Sequence, residues 1–354
     1  PPRSTLFPYT TLFRSQDMLS LTYYYSKEDP DQFGMADTVR SECLKNDLIL
    51  VDICVDESLE LVESYKNKTP VVCVGPFVLY YPFSETDLRV AIKSALDRQE
   101  RLAIDDSKNY QKKVHNGLSI TNLDRFSYFF SNYYAILISL LLAVFVLLPF
   151  LAPILAKENK TVGANIIYKT YHVLCHQLAF RSFYLFGEQA FYPRELAHID
   201  SLLTYEQVTG NQSIDLEFAR SFIGNDMLGF KVAICQRDVA IYGTMALFGI
   251  FFHFSKKWIK KIPWYWWFIL ALMPIAIDGA SQIPSLASGW PTWFPYREST
   301  PFLRVLTGSL FGVGTAWYMY PMMEESLKET RVLLHRKFAI IKKMNIAKNK
   351  DNDD

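Results

Sequence analysis

The sequence predicts an α/β domain followed by an all-α polytopic membrane domain with about four transmembrane helices and an outer interfacial helix. Three observations carry this prediction. Short strand-like apolar runs alternate with helical stretches as far as Arg101. From Phe129 onward the apolar runs become long enough to cross a bilayer. Half of the 354 residues are hydrophobic and 15% are aromatic, and most of that excess falls in the second part. The formal net charge of +1 gives no reason to expect a nucleic-acid partner.

The first residues stand apart. "PPRSTLFPYTTLFRS", Pro1 to Ser15, resembles translated sequencing-adaptor read-through of the kind that recurs in metagenomic protein sets. It is set aside from fold reasoning, and the native chain is expected to start near Gln16. The domain plan is then 16–102 for the α/β domain, 103–127 for a linker, 128–325 for the membrane domain and 326–354 for a basic cytoplasmic tail.

Within the α/β domain, Met18–Ser26 suits a strand through its Leu, Thr and Tyr content, and Pro30–Lys45 a helix. "DLILVDICV", Asp47–Val55, is the near-continuous apolar run of a buried parallel strand. Ser58–Lys66 reads as a short helix, "TPVVCV" and "FVLYYPF" as two strands, and Ser84–Arg101 as a closing helix capped by Ser84. The order β-α-β-α-β-β-α, with a proline opening the third strand, resembles the thioredoxin and glutaredoxin-like fold. Asp52, Tyr65 and "TPVV" are similar to the glutaredoxin-like branch, whose cis-proline would fall on Pro70. That family's redox chemistry uses a Cys-x-x-Cys at the first helix. Here the position reads "SKEDPDQFGM", so the domain is expected to be redox-inactive and to serve as a docking module for a cytoplasmic partner.

In the membrane part, Phe129–Ala156 exceeds the ~20 apolar residues that a spanning helix needs. Val239–Phe254, with the preceding "KVAIC", gives a second predicted span. Trp264–Ile283, opening on the interfacial aromatics "WYWW", gives a third, and Phe302–Met323 a fourth. Gly308 and Gly312 form a GxxxG that permits close helix approach, and Gly243 and Gly249 suit packing. Ile166–Phe186 is apolar but interrupted by Lys169, His172, His176 and Arg181, which suits an outer interfacial helix. Lys256, Lys257, Lys260 and Lys261 crowd one short loop, and the tail from Lys328 is also basic. The positive-inside rule puts both on the cytoplasmic side, with both termini, in a multi-pass cell-membrane protein. The bilayer is the expected partner, and a homo-oligomer would be needed for any transport path.

Under that topology the polar residues converge in depth. Cys235 and Asp238 open the second span at its outer end. Asp278 lies about 21 Å along a ~30 Å core, Gln282 lies farther out, and Arg304 is in the first outer turn of the fourth span. Charges at such depth pair or serve a function. The motifs Cys175-His176-Gln177, Arg181-Ser182-Phe183, "CQRDVAIYG" at Cys235–Gly243, Asp278-Gly279 with Gln282, "REST" at Arg297–Thr300, and Arg304 with Thr307-Gly308 follow in order. In order and spacing they resemble domain-of-unknown-function family 2085, predicted integral membrane proteins, over Tyr168–Met323. Asp238 stands where the family pattern has a second cysteine. Glu188–Phe230 is similar to an insertion, and the resemblance implies no reaction.

Three readings of these residues stand open. Cys175, His176, Cys235 and Asp238 are all zinc-ligand types, and Cys235 and Asp238 share a helical face. Cys175 and His176 are adjacent, about 100° apart on a regular helix, so both ligate only if the backbone breaks there. Alternatively, Cys175 and Cys235 form a disulfide on the oxidising face. The third is a structural polar network of Gln177, Arg181, Arg237, Asp278, Gln282, Arg297 and Arg304, in which arginines neutralise Asp238, Asp278 and Glu298. The expected function is a structural or binding metal-type site, with a metal-dependent enzyme on a lipid-linked substrate or a small-solute transporter as alternatives.

Overall fold

The computed structural model describes residues 19–27, 32–57, 59–65, 68–105, 117, 119–211, 215–255, 258–286, 291, 293 and 296–351. The adaptor-like segment, most of the expected linker and Lys256 and Lys257 lie outside them. The chain divides into two compact units, one of 1–132 with 326–354 and one of 133–325.

The first unit is built on β1 (Ser20–Tyr25), α1 (Gln32–Lys45), β2 (Ile49–Cys54), α2 (Leu59–Tyr65), β3 (Val71–Val74), β4 (Phe77–Tyr80) and α3 (Glu85–Asp105). The sheet order is β2-β1-β3-β4. β1 runs parallel to β2 and antiparallel to β3, with Leu21 opposite Val74, and β4 returns antiparallel on β3. Thr69–Pro70 and Tyr81–Pro82 are cis peptides. Alternation along β1 and β3 splits the side chains between two faces. Leu21, Tyr23, Val72 and Val74 pack with Val39 of α1 and Leu88, Ile92 and Ala95 of α3. Ser84 caps α3, its hydroxyl accepting from the Asp87 amide at 3.1 Å.

The opposite face holds Tyr24, Val51, Ile53, Val71 and Cys73, and Ile340 and Met344 cover it. Those two belong to the segment expected as a basic cytoplasmic tail, which is the end of a helix running Pro301–Asp351. Lys337, 2% exposed at its side chain, donates to Asp124 at 2.7 Å, and Arg336 donates to the Thr22 hydroxyl at 3.2 Å. The apolar residues between the tail's lysines fall on one helical face, which gives the sheet its second layer.

The second unit contains most of α4 (Asn122–Lys157), then α5 (Thr161–His172), β5 (Ser182–Leu185), α6 (Tyr205–Thr209), α7 (Leu216–Ser221), β6 (Gly224–Asn225), β7 (Gly229–Cys235) and α8 (Gln236–Phe254). It continues with α9 (Trp264–Trp267), a π-type stretch at Phe268–Leu272, α10 (Met273–Ala280) and the first half of α11 (Pro301–Asp351). The π-type stretch absorbs Pro274, whose missing N–H cannot serve the Leu270 carbonyl. Gly249 meets α4 and α11: an added Cβ would lie 2.1 Å from the Ser139 hydroxyl and 2.5 Å from the Tyr320 ring. Gly312 meets α8, with the Ile241 carbonyl 2.3 Å from the same position. Gly243 has nothing within 4 Å, so it is not a packing glycine.

Three expectations need correction. The second unit is mostly helical but not all-α, because β5-β7-β6 form a three-stranded sheet. "KVAIC" is therefore strand β7 rather than the start of a span; Val232, Ala233 and Ile234 are buried while β5 and β6 pair on either side. Gly229, at φ 79°, allows the tight return between β6 and β7. The interfacial helix does not run through 166–186: α5 stops at His172, Gln177 takes a left-handed φ of 50°, and β5 follows. By length and composition α4 is the one described helix that can cross a membrane, with Trp264–Ala280 a shorter apolar stretch, so four spans are not supported.

Candidate functional site: a cysteine–aspartate cluster on a basic cavity

The end of α5 determines where the first thiol sits. Tyr171 is buried and its carbonyl accepts from the Cys175 amide at 2.9 Å, closing the last turn. The chain then reverses at Gln177, whose side-chain amide donates to the Tyr168 carbonyl at 3.0 Å and to the Ala233 carbonyl at 2.8 Å. Lys231 tightens the same junction. Its ammonium donates to the carbonyls of Gln177 and Arg220, both at 2.8 Å, and the Lys231 carbonyl accepts from the Tyr168 hydroxyl. Gln177 and Lys231 thus lock the Cys175 loop onto β7.

The second thiol comes from the end of β7. Cys235 pairs with Ser182 across the ladder and is the N-cap of α8, its sulfur accepting from the Asp238 amide at 3.4 Å. That turn brings the Asp238 carboxylate to the same place. Ligand atoms of Cys175, Cys235 and Asp238 all lie within 4.8 Å of one another. The backbone break that would let Cys175 and His176 both ligate is present, but His176 is exposed and stays outside this trio. Both cysteines are free thiols.

Hydrogen bonding makes the two thiols unequal. Cys235 donates to Cys175, which lowers the Cys175 thiol pKa against burial and the Asp238 charge. The same bond, with burial, raises Cys235 well above its ordinary value. Burial lowers Lys231 to about 7, partly offset by Cys175. The arrangement makes Cys175 the readier of the two thiols to ionise, and a metal that displaced both protons would complete a dithiolate.

The trio opens on a cavity of about 1070 Å³ lined also by His172, His176, Arg181, Arg220, Lys231 and Arg304. Behind it lie two carboxylate centres. Asp278, 4% exposed, accepts from Arg237, from both terminal nitrogens of Arg297 at 3.3 Å, from Ser299 at 3.0 Å and from Gln282 at 3.3 Å. Glu298 accepts from Arg181 at 2.8 and 3.1 Å and from Arg304, with Arg194 at 3.9 Å. Arg304 also donates to the Phe180 carbonyl at 3.2 Å and the Gln236 amide oxygen at 3.3 Å. The arginines therefore divide between Asp278 and Glu298, and the structure pairs none of them with Asp238. Sequence reasoning missed Lys231, Arg220 and Arg194. A single lysine inside the apolar run "KVAIC" was the available signal for Lys231; Arg194 and Arg220 fall in the insertion-like segment, where no motif marked them.

A family described as "Predicted membrane protein (DUF2085)" matches residues 217–318, which include Cys235, Asp238 and the whole arginine–carboxylate stretch from Asp278 to Arg304. An uncharacterized protein of Methanocaldococcus jannaschii, MJ1492, is 28% identical over 201 residues, covering 55% of this chain and 94% of the relative. No solved structure matches. The chain is thus similar, through its second unit, to predicted membrane proteins whose activity is unknown.

Proposed function

We propose that this is a membrane protein that holds a zinc ion between Cys175, Cys235 and Asp238 and presents it to the basic cavity. The observation that carries the reading is the convergence of three donor atoms, within 4.8 Å of one another, from two chain segments far apart in sequence. Tetrahedral zinc with Zn–S bonds of ~2.3 Å needs donors about 3.8 Å apart, so the cluster closes with small side-chain shifts. Two sulfurs and one carboxylate suit zinc better than the oxygen-seeking cations. Three protein donors leave the fourth position to a ligand from the cavity, which suits a binding site rather than a closed structural one.

The membrane reading rests on α4, which is long, strongly apolar and mostly exposed along its apolar stretch. We extend it to α8, Trp264–Ala280 and the first half of α11, whose exposed Leu247, Phe251, Ile269, Ile277, Leu310 and Val313 suit contact with lipid. Both termini are then cytoplasmic and the cysteine cluster extracytoplasmic. The first unit is read as thioredoxin-like without redox chemistry. Its strand order supports the fold, and the absence of any Cys-x-x-Cys supports the loss of chemistry.

The test is metal analysis of the full chain beside Cys175→Ser and Asp238→Ala. One zinc per chain, lost in both variants, supports the proposal. A metal-free protein with a Cys175–Cys235 bond by non-reducing mass spectrometry replaces it with the disulfide reading, which the proximity of the two thiols favours.

A further inference from the structure

The chain turns sharply where α4 ends. Asn159 takes a left-handed φ of 57°, and the Lys160 amide donates to the Leu155 carbonyl at 2.9 Å, which caps α4 and starts α5 in the opposite direction. Lys157, Glu158 and Lys160 put charge at this turn. α5 then packs back along α4. A Cβ on Gly163 would meet Leu155 at 3.2 Å, whereas the Tyr171 hydroxyl donates to the Phe145 carbonyl at 2.8 Å and those two rings lie 5.3 Å apart. Leu155 to Phe145 is about 15 Å of helix. From the charged turn inward, α5 therefore retraces about half of a ~30 Å membrane core.

At about 100° per residue, α5 has three sides. Ala164, Ile167, Tyr168 and Tyr171 are buried on the first. Val162, Ile166 and Val173 fall within about 40° of one another on the second, and they are 75%, 60% and 86% exposed. The Thr170 hydroxyl beside them donates to the Ile166 carbonyl at 2.8 Å, so it is satisfied without water. Lys169 and His172 mark the third side, which lines the cavity. Leu174 both lines the cavity and is 61% exposed.

The end of α5 supplies a second, independent observation. The last carbonyls of a helix have no partner within it, and in hydrocarbon each needs one from the protein. Here the Tyr171 carbonyl accepts from the Leu174 and Cys175 amides at 3.0 and 2.9 Å, and the His172 carbonyl accepts from Arg220 at 2.7 Å. A helix end in water is served by solvent; this one is served by the protein.

We infer that α5 is a re-entrant half-helix in the outer leaflet: its Val162–Ile166–Val173 stripe lies against acyl chains, and the cavity mouth at Leu174 opens to lipid rather than to bulk water. The exposed Leu147 and Leu151 of α4, on the stretch that α5 packs along, continue the same apolar surface. Lys169 carries its ammonium to the headgroups on its own flexible stem. The inference rests on the membrane reading proposed above and deepens it by naming the phase from which the cavity is filled. It does not depend on zinc.

The experiment uses the full chain in phosphatidylcholine vesicles, spin-labelled at one introduced cysteine at a time. Collision rates are measured with oxygen, which concentrates in lipid, and with a nickel chelate, which stays in water. The unsubstituted chain, labelled in parallel, sets the background of its own thiols. Leu140→Cys, on an exposed side of α4, is the lipid reference, and Met227→Cys, 78% exposed, the water reference. Labels at Ile166→Cys, Val173→Cys and Leu174→Cys should read like Leu140→Cys. The oxygen-to-chelate ratio should also rise from Val162→Cys to Val173→Cys, about 16 Å farther along the helix. Labels at Ile166 and Val173 that read like Met227, with Leu140 in lipid, overturn this inference alone. So does a ratio that stays level from Val162 to Val173, as for a helix lying flat on the surface. A Val173 label shielded from both reagents, as under a second copy of the chain, or a Leu174 label open to the chelate, as for a mouth in water, overturns it too. A Leu140 label that reads like Met227 sinks the membrane reading itself.

Discussion

Glu298→Gln tests the polar framework behind the cavity. The Glu298 side chain is fully buried and faces Arg304, 2% exposed, and Arg181, 19% exposed. The substitution keeps the shape and removes the charge, leaving the Arg304 guanidinium buried opposite a neutral amide. Removing one partner of a buried pair costs about 3–5 kcal/mol, because the remaining charge keeps its desolvation penalty. At ~2–4 °C per kcal/mol for a unit of this size, the midpoint falls by about 10 °C. Thermal unfolding of purified protein, followed by fluorescence-detected size exclusion, reads that loss. The double variant Glu298→Gln/Arg304→Met recovers much of it, since no buried charge is then left alone at Arg304. A loss under ~1 kcal/mol for Glu298→Gln, as for an exposed pair, would refute the framework.

Other outcomes follow from particular contacts. Gly312→Ala sets a methyl 2.3 Å from the Ile241 carbonyl and should destabilise by about 1–3 kcal/mol, while Gly243→Ala, with open space around it, should be neutral or slightly stabilising in the same assay. Lys231 falls from its ordinary 10.5 to about 7 on folding, so between those values the unfolded chain holds more protons than the folded one. Lys231 should therefore contribute stability that grows as pH rises across about 7 to 10.5, and denaturant titrations of Lys231→Met should show that contribution lost. Cys175, lowered on folding, adds a rise of the same sign below its ordinary pKa, and Cys235, raised on folding, an opposing fall above its own. For topology, Met227 and Leu44 are 78% and 85% exposed, so Met227→Cys in intact cells should react with an impermeant maleimide and Leu44→Cys should not. Equal labelling would contradict an extracytoplasmic cluster.

Much of the first unit was legible in order. "DLILVDICV" and "TPVVCV" are strand-length apolar runs bounded by polar or proline signals, and both are strands. What covered the second face was not legible. Ile340 and Met344 sit among lysines, and a 3.6-residue stripe inside a basic tail is masked by its charge. In the second unit, "KVAIC" adjoins a long apolar run and reads as its continuation, while its strand partner lies at Ser182–Leu185, a pairing that local pattern cannot report. The residues of the candidate site were readable from their chemistry, because thiols and charges near apolar spans have few bland roles. Their grouping was not. Arg237 meets Asp278, but Asp238 turns to the thiols rather than to an arginine, and His176 faces outward because Gln177 reverses the chain.

X-ray absorption at the zinc edge of the purified full chain tests the metal centre directly. The account predicts one zinc with two sulfurs at ~2.3 Å and two lighter neighbours at ~2.0–2.2 Å. A shell of four sulfurs, a shell of histidine nitrogens and no sulfur, or protein that takes up no zinc would contradict it.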